Sequence, residues 1–375
     1  MAGIYIHIPF CKQACHYCDF HFSTNLTLRK EIFHSLKKEL ILQKGYLSKP
    51  VETIYFGGGT PSLLTNVEIQ SLLDTISTHY SVTASPEITL EANPDDLTEQ
   101  KLKDLYKVGI NRLSIGVQSF DDEVLKFLNR AHSKKDAQKC ISLAQNVGFS
   151  DLTIDLIYGI PSRSHQLWIE DIATLLNYLP NHISAYCLTI EPGTAFGNWF
   201  KKGKFTPVSE DFAAEQFEIL TELLEKSGYE QYEISNFCLD SKYSKHNTAY
   251  WQDKPYLGIG PSAHSYNHTS RQFNIKNNAK YVRALATDHI PYEFEKLSKV
   301  DRLNDYLLTG IRTKWGIDLS KFQPYHALNQ PYLDLLVNSR KADIKENHLI
   351  LTKEGRLLAD KITEELLIDA NQNSL

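Results

Sequence analysis

The chain has few cysteines, no long apolar run and no excess of basic residues. Its 375 residues include six cysteines, and 45 Asp and Glu outnumber 40 Lys and Arg, for a net charge of −5. So few cysteines exclude a small fold held together by disulfides. No apolar run is long enough to span a membrane, and the acidic balance disfavours a protein whose whole surface binds nucleic acid. The composition is that of a globular chain able to bury a large core.

Three of the six cysteines are crowded into eight residues near the N-terminus. They stand in Cys11-Lys12-Gln13-Ala14-Cys15-His16-Tyr17-Cys18, a C-x3-C-x2-C spacing. Three thiolates on one loop suit a 4Fe–4S cluster with one iron left open to a small molecule. Zinc is the alternative, but neither His16 nor His21 completes a standard zinc pair. The predicted metal ligands are Cys11, Cys15 and Cys18. The remaining three cysteines are interpreted as buried, small apolar side chains: Cys140, Cys187 and Cys238.

The compartment follows from the thiols and from the N-terminus. The first residues lack the basic start of a signal peptide and run directly into the cysteine loop. Thiols that hold iron need a reducing environment. We therefore expect a cytoplasmic protein.

The first two-thirds of the chain alternates short apolar runs with longer amphipathic ones. The predicted strands are Ile4–Ile8, Thr53–Phe56, Glu87–Glu91, Arg112–Gly116, Asp151–Leu156 and Ile183–Leu188. The predicted helices between them are Leu28–Gln43, Val67–Thr78, Glu99–Val108, Lys134–Val147 and His165–Leu179. In the first helix Leu36, Leu40 and Ile41 form an apolar stripe. Such alternation predicts right-handed crossovers and a parallel sheet, and six units make a partial (β/α)6 barrel.

Residues suited to ligand binding or to chemistry follow these strands. The cysteine loop follows the first strand, Gly57–Gly59 follows the second, Glu91 ends the third and Gln118 follows the fourth. The C-terminal ends of parallel strands meet at one edge of a barrel. We therefore expect all of these residues to converge on one rim.

The remainder of the chain divides into two further parts. We predict a barrel over residues 1–230, an irregular connecting region over 231–299 and a smaller α+β domain over 300–375. In the last part we expect helices at Asp301–Arg312, Leu319–Phe322, Pro331–Asn338 and Glu354–Leu367, and short strands at Ala342–Ile344 and Leu349–Leu351 around a turn at Glu346-Asn347. The polar tail Asp369–Leu375 is expected to be frayed.

Helices followed by a small hairpin resemble a winged-helix domain, which raises the question of DNA. Residues 301–375 hold ten Lys and Arg against eleven Asp and Glu. A DNA reader is normally basic. We interpret this domain as a lid or interaction module and expect no nucleic-acid partner.

The cysteine spacing, with its flanking sequence, resembles the radical S-adenosylmethionine (SAM) superfamily. The resemblance extends over Tyr5–Cys11, Gly57–Ser62, Ser114–Ser119 and Asp155–Pro161. In that superfamily the open iron of a 4Fe–4S cluster chelates the amino and carboxylate groups of SAM. The resemblance therefore implies a radical SAM partial barrel with the cluster and SAM as cofactors.

The resemblance also assigns SAM contacts that the residues alone would not. It implies that the glycine segment holds the amino group of SAM and that Glu91 is a further ligand. Contacts to the ribose, the carboxylate and the polar end of the nucleoside fall to Gln118, Arg130 and Asp155, respectively. The SAM contacts so implied are Tyr5, Gly58, Gly59, Thr60, Glu91, Gln118, Arg130 and Asp155. Without the resemblance the triple glycine would be read as a tight turn, and Arg130 as a surface residue.

Within the superfamily, the motifs are similar to a subgroup of oxygen-independent coproporphyrinogen III dehydrogenases and heme chaperones. The dehydrogenases carry a fourth cysteine two residues after the third, where this chain has Phe20. They also carry an N-terminal extension, whereas only three residues precede Ile4 here. His246-Asn247-Thr248-Ala249-Tyr250-Trp251 matches the H-N-x-x-Y-W motif of the chaperones. All three features favour the chaperones.

The motif also makes chemical sense for a heme protein. Neutral histidine is a common ligand of heme iron, and aromatic faces suit a flat porphyrin. The predicted heme contacts are His246, Asn247, Tyr250 and Trp251, with His264 as a second candidate ligand. The competing interpretation is a hydrogen-bonded His246 and aromatic side chains that belong to the core.

The sequence thus predicts a heme chaperone that binds heme, a 4Fe–4S cluster and SAM and transfers heme to an acceptor protein. A respiratory or membrane-associated protein is the candidate acceptor, and the chaperone itself could be a monomer or a homodimer. The alternative is a radical SAM dehydrogenase that decarboxylates coproporphyrinogen III. No catalytic residue is assigned, and the resemblance leaves open whether SAM is cleaved.

Overall fold

A curved, mostly parallel sheet forms the body of the protein. The computed structural model describes residues 2–323 and 328–368. Six strands lie side by side in chain order and pair in parallel: β1 (Ala2–Ile8), β2 (Val51–Gly58), β3 (Val82–Ala92), β4 (Arg112–Gln118), β5 (Asp151–Tyr158) and β6 (His182–Cys187). This arrangement confirms the predicted partial (β/α)6 barrel.

Helices connect these strands and cover the outer face of the sheet. They are α1 (Arg29–Leu42), α2 (Asn66–His79), α3 (Glu99–Lys107), α4 (Asp122–Phe127), α5 (Lys134–Val147), α6 (Gln166–Leu176), α7 (Ala195–Lys201) and α8 (Glu210–Lys226). The start of α2 is set by a capping box between Thr65 and Glu68, in which each side chain bonds to the other's backbone N–H. Such caps satisfy donors that the first helical turn leaves free.

Strand alternation separates a helix-facing core from an inner face. Ile4, Ile6 and Ile8 of β1 are fully buried in the core, and the residues between them point to the opposite, inner face. On α1, Leu36 and Leu40 are buried as predicted, but Ile41 is 42% exposed. Residues four apart share a helix face, whereas the next residue is turned about 100° away. Ile41 therefore does not extend the stripe.

The region 231–299 is regular, so the prediction of an irregular connection was wrong. It contains β7 (Glu230–Glu233), β8 (Asn236–Cys238), α9 (Lys245–Trp251), β9 (Tyr256–Ile259), β10 (His264–Tyr266), β11 (Ser270–Asn274), α10 (Asn278–Ala286) and β12 (Tyr292–Lys296). These strands extend the barrel sheet at both edges, with β9 parallel to β1 and β8 antiparallel to β6. Strands of three to five residues are too short to show a periodic pattern, and neighbouring strands stabilise them instead.

A buried carboxyl group fastens the extension to the barrel. Glu39 of α1 is fully buried, and it accepts hydrogen bonds from Gly260 N–H at 2.8 Å, Asn274 Nδ2 at 2.6 Å and Tyr281 OH at 2.5 Å. Three donors satisfy the carboxyl oxygens where water cannot reach. The β9–β11 strands are thereby held against the first helix of the barrel.

The C-terminal residues form a smaller unit with its own core. It contains α11 (Lys299–Gly310), β13 (Ile317–Asp318), a 3-10 turn at Leu319–Lys321, α12 (Gln330–Asn338), β14 (Ala342–Lys345), β15 (His348–Leu351), α13 (Lys353–Arg356) and α14 (Ala359–Leu366). The strands pair antiparallel in the order β13-β15-β14, as in a winged helix. The β14–β15 hairpin turns at Glu346 and Asn347, both at positive φ, as predicted.

One predicted element differs and one lies outside the described residues. The single helix expected at Glu354–Leu367 is two helices, because Gly355 of α13 packs directly against the carbonyl of Lys341 and fixes that turn against the hairpin. The tail Asp369–Leu375 is not among the described residues. Over residues 2–323 and 328–368, no helix has both the length and the apolar character needed to cross a membrane.

Candidate functional site

The cysteine loop leaves the end of β1 and is anchored at its base and in its middle. Cys11 N–H donates to Ser23 O at 3.1 Å, and Ser23 N–H donates to Pro9 O at 3.0 Å, which closes the base. His16 N–H donates to Leu128 O at 3.1 Å and ties the middle to the end of α4. Backbone hydrogen bonds therefore fix the loop at these two places.

The three thiols of the loop line one cavity. Burial, with a smaller contribution from the nearby Cys15, raises the pKa of both Cys11 and Cys18 to about 11. A cation among them would draw off these protons, since metals bind the thiolate form. Within the described part of the chain, no three His, Cys, Asp or Glu side chains converge on one metal-ion position. Three thiols on one loop are the donor set that a 4Fe–4S cluster with one iron left open would use.

The glycine turn at the end of β2 brings backbone groups close together. Gly58 has φ +107°, a conformation that side-chain-bearing residues rarely adopt. Its N–H donates to Glu91 Oε2 at 3.2 Å, and Gly59 N–H donates to Ile8 O at 2.8 Å. Both amides are thus used within the protein. The turn positions Glu91 as well as admitting a ligand.

Two carboxyl groups face the cavity near the ends of β3 and β5. Tyr55 OH donates to Glu91 Oε1 at 2.8 Å, and Ser114 OH donates to Asp155 Oδ2 at 3.2 Å. Burial raises the pKa of Glu91 to about 7 and that of Asp155 to about 6, and the charge of Asp155 contributes to the shift of Glu91. A positively charged ligand would favour the ionised forms of both. The pair is therefore suited to a cationic group.

Arg130 is a half-buried part of this site, not a surface residue. Its Nη1 donates to Cys15 Sγ at 3.3 Å, and its Nη2 donates to Asn93 Oδ1 at 2.7 Å and to Gly116 O at 2.6 Å. Its Nε is buried and has no hydrogen-bond partner among the described residues. Buried polar atoms are normally paired, so an unpaired donor marks a place for a ligand acceptor.

Gln118 reaches the same cavity through an irregular strand end. It has φ +68°, and the pairing of β4 with β5 shifts between Gly116 and Gln118. A Cβ on Gly116 would lie 2.9 Å from Gln118 Nε2 and 3.3 Å from Arg130 Nη2. A larger residue at this position would therefore push the ends of both side chains away from where they lie. Strained backbone of this kind is typical of binding sites.

These groups surround what we call the first cavity, of about 580 Å³ at the C-terminal ends of β1–β6. It brings together most of the predicted site residues: Cys11, Cys15, Cys18, Gly58, Gly59, Thr60, Glu91, Gln118, Arg130, Asp155 and Asn247. The expected convergence on one rim is what the structure shows for these residues. Besides Arg130 Nε, the buried hydroxyl of Thr89 lacks a partner in the described structure. Thiols, paired acids, a guanidinium and unpaired donors fit a cluster with a charged, polar ligand.

The predicted SAM contact Tyr5 lies behind Tyr55, outside the first cavity. Its ring stacks on Tyr55 with centroids 6.0 Å apart, and its hydroxyl is 3.3 Å from His7 Nδ1. Tyr5 does not line the first cavity, whereas Tyr55 does. Tyr55 therefore stands between Tyr5 and any ligand in the first cavity.

His246, in the H-N-x-x-Y-W segment, is a core residue. It lies in the first turn of helix α9, is 2% exposed, and forms hydrogen bonds of 2.8 Å at both ring nitrogens, Nδ1 to Thr53 Oγ1 and Nε2 to the Tyr250 hydroxyl. Burial lowers its pKa to about 3, so the ring is neutral. Ligation of heme iron would require one of these two bonds to break. The arrangement matches the competing interpretation of a hydrogen-bonded histidine.

The other motif residues diverge from His246. Asn247 lines the first cavity, and Tyr250 lines a different one. Trp251 packs edge-on against Tyr232, with ring centroids 5.8 Å apart. Helix α9 therefore lies between two cavities, with Asn247 facing one and Tyr250 facing the other.

The second cavity, of about 590 Å³, lies over β1 and the β9–β11 extension. Its lining includes eight aromatic or imidazole side chains that reach it from β1, the cysteine loop, α9 and the extension: Tyr5, His7, Phe20, His21, Tyr250, Tyr256, His264 and Tyr266. Asp19 and Phe20 of the cysteine loop line both cavities. The loop is therefore the wall between them.

Sequence reasoning missed residues that hold the first cavity in shape. Tyr55, Asn93 and Ser114 position Glu91, Arg130 and Asp155. Tyr55 sits between the apolar Ile54 and Phe56 of its strand, so strict alternation could have placed it on the inner face.

The three remaining cysteines do not share one environment. Cys140 and Cys238 are buried, as expected, but Cys187 is exposed. It ends β6 and lines the first cavity. The last residue of a parallel strand lies at the open rim, so the interpretation of Cys187 as a core residue was wrong.

The chain is similar to known proteins over most of its length. Residues 5–175 match the model of the Radical SAM superfamily. The "Heme chaperone HemW" of Bacillus subtilis is 34% identical over 96% of this chain and 98% of its own, and that of Lactococcus lactis is 32% identical over 97% of each. The mitochondrial "Radical S-adenosyl methionine domain-containing protein 1" of Bos taurus is 31% identical over 96% of this chain and 82% of its own.

The fold matches a solved structure. Coproporphyrinogen III oxidase (HemN) from Escherichia coli, described as a radical SAM enzyme, superposes with a TM-score of 0.82 over 97% of this chain and 89% of its own, at 22% sequence identity. At that identity the match establishes the shared architecture. The near full-length similarity to the Bacillus and Lactococcus proteins shows that the chain belongs to the HemW family of the radical SAM superfamily.

Proposed function

We propose that this protein is a heme chaperone that binds heme and transfers it to an acceptor protein, with a 4Fe–4S cluster and SAM as bound cofactors. The observation that carries the proposal is the similarity, over nearly the whole chain, to relatives named heme chaperones. Such similarity includes the C-terminal unit and the β9–β11 extension as well as the barrel.

The cysteine loop is the proposed holder of the cluster. Cys11, Cys15 and Cys18 face the first cavity from a loop already closed by backbone bonds. A 4Fe–4S cluster at this position supplies an open iron and an electron. The protein's own part is to keep the thiols ordered and to place Arg130 beside Cys15, where its charge stabilises a thiolate.

The first cavity is the proposed SAM site. Glu91 and Asp155 are held by Tyr55 and Ser114 and favour a cationic group, while the Nε of Arg130 is free for an acceptor. SAM carries positive charge and a carboxylate, so both ends find complementary partners. The assigned contacts are Gly58, Gly59, Thr60, Glu91, Gln118, Arg130 and Asp155.

Phe20 supports a chaperone over a dehydrogenase. It occupies the position of the fourth cysteine in the dehydrogenase pattern, and it is 72% exposed at the wall between the cavities. An exposed phenylalanine is a surface for an apolar ligand, and it cannot hold iron.

The partners follow from the proposed role. Heme is the cargo, and a respiratory or membrane-associated hemoprotein is the proposed acceptor. Iron-binding thiols suit the reducing cytoplasm, which we propose as the location. The near-neutral C-terminal unit is proposed as an interaction module for protein, not nucleic acid.

A direct test combines heme uptake with a test for dehydrogenase activity. Anaerobically reconstituted protein titrated with hemin should bind it saturably, with a Soret band distinct from that of free hemin. The same protein, incubated with SAM, a reductant and coproporphyrinogen III, should form no protoporphyrinogen, while the Escherichia coli enzyme run in parallel does. Absence of uptake, or conversion of the porphyrinogen, would contradict the proposal.

A further inference from the structure

The second cavity is separate from the proposed cluster and SAM site. The cysteine loop lies between the two cavities. Most of the lining of the second cavity comes from the β9–β11 extension, α9 and α11. Its volume of about 590 Å³ lies within the roughly 300–1,000 Å³ range of pockets that enclose organic ligands. The roles assigned so far leave this cavity without a ligand.

One wall of the second cavity is a row of tyrosines. Tyr250 and Tyr256 meet edge to face with centroids 4.5 Å apart, and Tyr256 and Tyr266 follow at 6.2 Å. Phe20 lines the cavity from the cysteine loop. Aromatic surfaces of this kind favour a large, flat, apolar ligand over a small polar one.

Three histidines line the cavity, and the imidazole of one of them has no hydrogen-bond partner among the described residues. His7 Nε2 is bonded to His21 O at 2.8 Å, and His21 Nε2 is bonded to Asn278 Oδ1 at 2.8 Å. His264 lines the cavity, and its imidazole forms no hydrogen bond or ion pair with any residue of the described structure.

The His264 ring packs against an aromatic side chain, and its surroundings favour the neutral form. It meets Phe273 edge-on, with centroids 4.7 Å apart. Burial, and then the charge of Arg271, lower its pKa from the ordinary value. A neutral imidazole with a free nitrogen is the form that binds heme iron.

The charges around the cavity are mostly compensated. Arg271 pairs with Asp305 and Glu295, and Asp253 accepts from the Tyr266 hydroxyl. Lys276 lines the cavity without forming a hydrogen bond or ion pair to any described residue. An unpaired ammonium at the edge of an aromatic pocket suits a ligand that is apolar in its body and carboxylated at its rim.

We propose that the second cavity is the heme site and that His264, not His246, supplies the axial ligand. This inference rests on the proposed function, because it places the cargo of the chaperone. The porphyrin lies against the tyrosine row and Phe20, with Lys276 beside a propionate.

Hemin titration of full-length, anaerobically reconstituted variants tests the assignment. His264→Ala should shift the Soret band and weaken hemin binding by about tenfold or more, since loss of even an outer-shell partner of a metal ligand costs about tenfold or more. His289→Ala, which removes an exposed histidine outside both cavities, should change neither. SAM affinity, measured on the same samples, should be unchanged in both variants and reports that the first cavity is intact.

A steric variant tests the cavity independently of ligation. Thr309 of α11 lines the second cavity, so Thr309→Trp should fill it and weaken hemin binding while SAM binding persists. Leu335→Trp, on an exposed face of α12, is the matched control. If wild-type protein binds hemin but neither His264→Ala nor Thr309→Trp alters it, the heme site lies elsewhere and this inference is wrong. If wild-type protein binds no hemin, it is the proposed function that fails.

Discussion

The two cavities beside the cysteine loop are nearly equal in volume but opposite in chemistry. The first, at the ends of parallel strands, is lined by thiols, carboxyl groups and a guanidinium. The second, over an antiparallel extension, is lined largely by tyrosines and histidines. A site for a small charged ligand and a site for a flat aromatic one can thus share one wall, formed by Asp19 and Phe20. Separate sites would let the cofactors stay bound while cargo is loaded and released.

Removing the thiols of the first cavity should have the largest effect, because it should abolish cluster binding. Each of Cys11→Ala, Cys15→Ala and Cys18→Ala should abolish the brown chromophore and the iron content of anaerobically prepared protein, since three thiolates hold the cluster. Iron analysis and visible absorption measure this. Cys140→Ala, Cys187→Ala and Cys238→Ala are the controls and should retain iron. A triple variant of the first set that still contains a full complement of iron would contradict the assignment.

The frame of the second cavity depends on Glu39, which fastens the extension to α1. Burial raises its pKa from 4.5 to about 7, so the native state keeps a proton that the unfolded chain has released. The stabilisation is fully present below about pH 4.5 and is lost as the pH rises through 7, by up to about 3 kcal/mol.

Glu39→Gln should remove this part of the pH dependence of the free energy of unfolding. Denaturant titrations of wild type and variant between pH 5 and 8 measure the difference. Glu31→Gln, on the exposed face of the same helix, is the control and should parallel wild type. If the wild-type and Glu39→Gln curves run parallel across this range, the carboxyl does not titrate as described.

Arg130 sharpens the claim that the first cavity binds a carboxylate. Arg130→Ala should weaken SAM binding by about 1.5–3 kcal/mol, the range for hydrogen bonds to charged groups. Arg130→Lys should restore only part of this, because lysine lacks the planar fork. Calorimetric titration with SAM measures both, and the exposed Arg163→Ala serves as control. Unchanged affinity in Arg130→Ala would remove this residue from the site.

Substitution of His246 distinguishes a structural role for this residue from ligation of heme iron. His246→Ala should lower the free energy of unfolding by about 1–3 kcal/mol, because Thr53 and Tyr250 lose a buried partner. The Soret band of the folded, hemin-bound variant should stay where it is in wild type. Thr53→Val should reproduce part of the destabilisation. A Soret shift in His246→Ala with unchanged stability would reverse the roles of His246 and His264.

Much of the barrel could be predicted because its elements are long and periodic. The buried strands and amphipathic helices through residue 187 carry the alternation that parallel sheets require. The extension could not, since a strand as short as His264–Tyr266 has no period to detect and is stabilised by its neighbours. The same difference explains why the parallel rim was foreseen and the antiparallel meander was not.

The residues of the two cavities also differ in how well the sequence could predict them. Residues such as Glu91 and Gln118 follow predictable strands, so their meeting at one rim follows from strand direction. The resemblance to a family supplied the place of Arg130, which spacing alone would have left on the surface. The depth of His246 could not be inferred, because a motif gives residue types but not burial. The second cavity is formed by residues as distant as Tyr5 and Thr309, whose proximity depends on the full topology.

The measurement that tests the two-cavity account most directly is SAM binding in the presence of hemin. Equilibrium dialysis of reconstituted protein against SAM, without and with saturating hemin, gives the affinity in both states. The account predicts simultaneous binding of one SAM and one heme per chain, with the SAM dissociation constant essentially unchanged. Displacement of SAM by hemin would show that both ligands occupy one cavity and would contradict the account.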